Sequence, residues 1–104
     1  MVKVFNSAQE ATQTIPSGQM KLLIINGTKI ALANIRDGFK AFDSACPHQK
    51  NPLHKGLLTR YQEIVCPLHH YRFNLQTGEE SANRCGSLKF YSLVINENGF
   101  FIQI

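Results

Sequence analysis

Short apolar runs alternate with turn signals along most of this chain, at intervals of about ten residues, and that rhythm predicts antiparallel hairpins. Val2–Phe5 reads as a short strand. Ser7-Ala8-Gln9-Glu10 matches a capping box, with Ser7 receiving the Glu10 amide and Glu10 reaching back, so a helical turn or two follows and stops before Pro16. Residues 19–25 and 29–35 are strands joined at Asn26-Gly27, the strongest two-residue turn signal. Asp37-Gly38 turns the chain into a strand over residues 39–43. Residues 44–56 hold two prolines and two histidines with no alternation, which predicts a loop. Beyond it, residues 57–65 and 71–75 read as strands, the second closed by Thr77-Gly78, and residues 79–87 as a polar loop. Residues 88–95 and 100–104 form a last hairpin around Asn98-Gly99. The expected architecture is all-β, with a scaffold from residues 1–43 and 86–104 and a small unit inserted between them.

At 104 residues the chain is expected to be one domain with a modest core and no need of disulfide support. Its longest purely aliphatic runs, such as residues 22–25, are too short to cross a bilayer, and the first residues show no apolar secretory segment. A cytoplasmic location is the expectation. Three cysteines cannot all pair, so a reducing compartment with cysteines as metal ligands fits better than a disulfide framework. The formal net charge of +4 favours an acidic partner surface, with nucleic acid the other standard reading of a basic chain.

The chemistry concentrates in two boxes, Cys46-Pro47-His48 and Cys66-Pro67-Leu68-His69-His70, separated by seventeen residues. Each offers one thiolate and one imidazole. Sulfur–nitrogen sites of this kind suit zinc or an iron–sulfur cluster, so ligand type alone leaves both open. Zinc fingers usually take two cysteines from one knuckle and two histidines from another segment, whereas each box here mixes the types. Boxes of that kind can place both cysteines on one iron and both histidines on a second, the divided ligation of a Rieske centre.

With Leu53 and Gly56 between the boxes and Phe73 and Thr77-Gly78 after them, residues 43–78 closely resemble a Rieske domain, and the similarity extends through the flanking hairpins. The resemblance implies stacked antiparallel sheets with a cluster-binding subdomain over about residues 44–75, holding one [2Fe–2S] cluster. By position, Cys46 and Cys66 would bind the buried iron, and His48 and His69 the outer one. A third loop, residues 80–87, would lie against the boxes; many relatives carry prolines there, and this chain has none. Asn51 and Leu68 stand where high-potential members carry a second pair of cysteines, so their disulfide is absent. Tyr71 and Phe73 stand where those members use serine and tyrosine hydroxyls to bond cluster sulfurs, and Phe73 has no hydroxyl to donate. Fewer such bonds imply a low potential, towards the bottom of the family range of about −150 to +300 mV.

The resemblance implies a one-electron carrier, a ferredoxin passing electrons from a reductase to a terminal oxygenase or similar redox enzyme. It implies no nucleic acid, membrane or small-molecule substrate, and no bond chemistry of the chain's own. Two other readings stand beside it: a small subunit of a nitrite-reductase-type complex, and a zinc-stabilised interaction module. Cys85 reads as a small buried hydrophobe, His54 as a surface residue and His70 as a solvated loop residue. Lys50, Lys55, Arg60, Arg72 and Arg84 could form a basic collar around the cluster tip or be scattered and solvated.

Overall fold

Ile30, Leu32 and Ala41 point to one face of a central sheet and Ala31, Ala33, Ile35 and Phe42 to the other, and both faces are buried. This period-two split makes residues 30–42 the middle layer of the molecule. The computed structural model describes residues 1–35, 38–47, 52–67 and 70–104. The expected Asp37 turn falls partly outside them, and Gly38 itself pairs with Ile35 as the first residue of its strand.

A six-stranded antiparallel sheet carries the fold, built from β1 (Val2–Phe5), β2 (Met20–Ile25), β3 (Thr28–Ile35), β4 (Gly38–Asp43), β8 (Phe90–Asn96) and β9 (Gly99–Gln103). Its spatial order is β1-β9-β8-β4-β3-β2. A second, three-stranded sheet comprises β5 (Leu57–Leu58), β6 (Glu63–Val65) and β7 (Arg72–Asn74), in that order. The all-β expectation therefore holds, with α1 (Ala8–Thr14) the one α-helix among the described residues.

Local chemistry accounts for the element ends. Ser7 Oγ accepts from the Glu10 amide at 3.0 Å, as the capping box requires. Glu10 reaches back one residue further than expected, accepting from the Asn6 backbone and side-chain nitrogens, both at 3.3 Å. Asn26 and Gly27 both take positive φ, 51° and 79°, the geometry of a twist-matched two-residue hairpin. The last hairpin pairs Asn96 with Gly99, so its loop is Glu97-Asn98, one residue earlier than expected.

The expected strand over residues 57–65 is in fact a hairpin. Gln62 takes a φ of 60°, its amide bonds Thr59 O, and Thr59 Oγ1 accepts from the Tyr61 amide at 3.2 Å. A threonine side chain thus supplies the turn that no glycine or proline announces.

Two cores lie on opposite faces of β3 and β4. One packs α1, through Ala11 and Ile15, against Phe5, Ile30, Leu32, Phe100 and Ile102, with Phe100 meeting Phe5 and Phe39 edge-on. The other joins the two sheets: small Ala31 and Ala33 let Ile64, Phe73 and Leu75 approach closely, and both box cysteines are buried in it.

Candidate functional site

Box one begins where β4 is forced to stop. Asp43 Oδ1 accepts from the Ala45 amide at 3.0 Å, an Asx turn that ends the strand. Ser44 then fastens the base of the loop: its amide donates to Lys29 O at 3.0 Å, and its carbonyl accepts from the Leu53 amide at 2.6 Å. Ala45 pairs with Pro52 in an isolated bridge. Cys46 follows, fully buried. His54, expected at the surface, is instead half-buried, its Nδ1 2.9 Å from Ser44 Oγ. Burial, then the charges of Lys55 and Lys29, lower its imidazole pKa.

Box two follows β6. The Cys66 amide donates to Tyr71 O at 2.8 Å, closing the turn at its base. Cys66 is buried, whereas Pro67 and His70 in the same turn are exposed, and His70 takes a left-handed φ of 56°. Gly56 ties the boxes together. A Cβ there would stand 2.0 Å from Val65 O, so only glycine lets the segment after box one lie against the residue before Cys66.

Cys46 and Cys66 thus arrive from two loops in one apolar cluster, with Leu53, Ile64, Phe73 and Leu88 around them. None of the cysteines is in a disulfide. His48 and His69, with Lys50, Asn51 and Leu68, lie outside the described residues. Among the described residues no group of three or more His, Cys, Asp or Glu is placed to hold a metal ion. The described part of the site is the pair of thiols.

The loop between β7 and β8 carries a residue that sequence reasoning passed over. Glu80 keeps 2% of its surface exposed and accepts five hydrogen bonds. They come from Ser81 Oγ (2.9 Å), the amides of Ala82 (3.0 Å) and Arg84 (2.8 Å), and Arg84 Nε and Nη2 (2.9 and 2.8 Å). The Arg84 side chain holds this carboxyl far below the usual carboxylate range, against the upward push of burial. The guanidinium lies over the Tyr71 ring, 3.7 Å from its centroid. Cys85, expected to be buried, is half-buried against the shared core, and burial, then Glu80 and Cys46, push its thiol up. A loop without prolines is therefore held by a buried carboxylate. Its only trace in the sequence was a Glu–Arg pair four residues apart.

The basic collar is partly answered from within. Arg84 pairs with Glu80, and Arg72 lies 3.8 Å from Glu63. Arg60 is bonded to the Tyr61 hydroxyl at 2.9 Å, and Lys55 is exposed.

Two thiols brought from separate loops and buried in one apolar cluster are soft donors suited to an iron–sulfur cluster, so the described residues fit such a group. Comparisons with known proteins agree. Human apoptosis-inducing factor 3 is 35% identical over 90 residues, covering 86% of this chain and 15% of that protein. The ferredoxin component of the alkene monooxygenase system of Xanthobacter autotrophicus is 29% identical over 77 residues, covering 72% of this chain and 63% of that one. The chain thus spans less than two thirds of either relative. The ferredoxin of carbazole 1,9a-dioxygenase from Nocardioides aromaticivorans superposes with a TM-score of 0.80 at 22% identity, over 98% of this chain and 97% of that one, a likeness of fold. Residues 7–92 match the Rieske [2Fe-2S] domain. With that match spanning both boxes and the whole three-stranded sheet, the chain belongs to the Rieske [2Fe–2S] domain family, whose cofactor is a single two-iron, two-sulfide cluster.

Proposed function

We propose that this chain is a one-electron carrier, a low-potential Rieske-type ferredoxin that passes electrons from a reductase to a terminal oxygenase or similar redox enzyme. Residues 1–104 form one domain in this reading, with residues of about 44–75 as its cluster-binding part and the cytoplasm as its location. Cys46 and Cys66 bind one iron, and His48 and His69 bind the other. One observation carries the reading: two cysteines from separate loops are buried together, while the turn that holds Cys66 exposes Pro67 and His70. A site buried on one side and open on the other suits exchange of electrons across a docked surface.

When bound, the cluster supplies the one-electron couple. The chain supplies its setting. Burial of the two cysteines among Leu53, Ile64 and Phe73 keeps water from the sulfur side. Phe73 places a ring with no hydroxyl in that setting, which leaves the reduced and more negative state less stabilised and the potential low. The partners are redox proteins, as the name of the Xanthobacter relative suggests. No helix of the described residues is long and apolar enough to cross a membrane.

Iron and acid-labile sulfide in equal amounts, with a visible spectrum bleached by reductant, are the expected result for the purified chain. Zinc in a colourless protein would refute it. Substitution separates the adjacent histidines: His69→Ala loses or disrupts the cluster, and His70→Ala keeps it. Identical behaviour of the two variants would overturn the ligand assignment.

A further inference from the structure

Glu80 is almost wholly removed from solvent in a loop whose neighbouring residues 81–84 are exposed. A carboxylate is buried at large cost unless its lone pairs are met, and here five donors meet them. Three of the five belong to one residue, Arg84. Its Nε and Nη2 form a two-pronged fork onto the two carboxylate oxygens, and the flat of the same guanidinium rests on Tyr71. Only arginine can offer an edge to a carboxylate and a face to a ring at once.

What lies at either end of this clamp gives it a purpose. Tyr71 O accepts the Cys66 amide, so the ring under Arg84 belongs to the residue that closes the box-two turn. On the other flank Glu80 bridges to Phe73, the Ser81 amide donates to Arg72 O at 2.9 Å, and Cys85 packs into the core that holds both cysteines.

We propose that Glu80 is a positioning residue of the cluster site: by pinning Arg84 across Tyr71, it closes residues 80–87 over the cysteine side of that site. The inference rests on the cluster being held by Cys46 and Cys66. Glu80 touches neither cluster nor partner in this scheme. It acts through Arg84 and Tyr71, and the property it governs is how well the site is shielded.

The test uses the full, cluster-loaded chain and follows bleaching of its visible absorbance by excess iron chelator. Glu80→Gln puts an amide NH₂ where donors now point, and Arg84→Lys keeps the charge but loses the fork and the stacked face. Each variant should bleach roughly ten- to a hundredfold faster than wild type, the range expected when a group supporting a metal site is removed. The double variant should be no worse than the poorer single one, because the two residues act as a unit. Amide hydrogen exchange at Ala82 and Arg84 should accelerate in both. The midpoint potential should rise in Glu80→Gln, which removes a negative charge from the loop packed against the core of both cysteines, while reduction adds one at the cluster. Asn34→Ala, which removes the Asn34 Nδ2 donor to Ile15 O outside the clamp, controls for general destabilisation and should bleach at close to the wild-type rate.

Wild-type bleaching rates in a loaded Glu80→Gln and Arg84→Lys would overturn the proposal and leave the cluster assignment standing. Equal acceleration in Asn34→Ala would overturn it too, by reducing the effect to global stability. If Glu80→Gln fails to fold, Arg84→Lys decides alone. A wild-type chain that takes up neither iron nor sulfide sinks the cluster assignment and this proposal with it.

Discussion

Gly56→Ala is a one-methyl change whose consequence the geometry fixes closely. The added Cβ would stand 2.0 Å from Val65 O, with Val65 C at 3.1 Å and Leu53 O at 3.2 Å. A carbon and a carbonyl oxygen in ordinary contact are separated by roughly 3.3 Å, so something must retreat by over 1 Å. All three neighbours are backbone atoms, and none can rotate aside as a side-chain tip would. Inserting a methyl into a packed site costs about 1–3 kcal/mol, and a purely backbone cage puts this case towards the upper end. At about 4–8 °C per kcal/mol for a domain of this size, Tm should fall by roughly 10–20 °C.

Gly86→Ala supplies the control. A Cβ at that position meets nothing within 4 Å. Its effect should stay within about 1 kcal/mol and lean towards stabilisation, because alanine narrows the unfolded ensemble. Thermal and denaturant unfolding followed by circular dichroism, at matched cluster loading, measures both. Gly56→Ala alone should also carry less iron, since a displaced Val65 carbonyl drags Cys66 with it. If the two variants melted together, the close approach of the box-one segment to β6 would be wrong.

Phe73→Tyr adds a hydroxyl in the core that holds both cysteines; one new bond to a cluster sulfur, worth about 1 kcal/mol more in the reduced state, raises the midpoint by roughly 40 mV, and an unchanged redox titration would rule out a tuning role for this position. Asn34→Ala removes the buried side-chain donor that bonds Ile15 O at 2.8 Å, and leaving that carbonyl unmet should cost about 1–3 kcal/mol in denaturant unfolding. Glu80 has a folded-state pKa below its unfolded one, so the unfolded chain binds more protons. Its contribution is full above the ordinary carboxylate range and fades as pH falls through and below it; the acid limb of the stability curve should therefore flatten in Glu80→Gln.

The hairpins at Asn26-Gly27 and near Asn98-Gly99 were legible because positive φ is a local demand that few residues meet. The turn at 59–62 was not, because Gln62 takes its left-handed φ without a glycine and Thr59 closes the turn through a hydroxyl. An apolar run such as Leu57-Leu58, separated by five residues from Ile64-Val65, reads the same whether straight or folded back. The thiols stood out in the sequence as a proposed site because two mixed boxes have few purposes besides metal binding. Their burial in one apolar cluster agrees with that reading, and the two histidines of the set fall outside the described residues. Glu80 was illegible because its value depends on tertiary placement. In sequence it is one acidic residue in a polar loop, and only the folded chain puts Phe73 beside it and Tyr71 beneath its arginine.

The loop over residues 80–87 is ordered without a proline, and that decides what can move it. Prolines would order such a loop by restricting the unfolded chain, a contribution indifferent to pH and salt. Here the loop is ordered in the folded state, by a carboxylate that needs its charge and an arginine that needs its geometry. Arg84 remains partly exposed, so its outer edge is open to ions and to any docking surface. Acid, or a partner carboxylate competing for the guanidinium, would therefore act on the loop that covers the cysteines, where a proline-built loop would stand unmoved. The same arrangement spends Arg84 on Glu80 and sets Arg72 against Glu63, which leaves Lys55 and Arg60 as the collar cations of the described residues that no carboxylate of the small unit answers. An acidic partner would thus meet less charge around the cluster than the sequence count suggests, and its recognition must draw more on shape and on the exposed Pro67 and His70 of the second box.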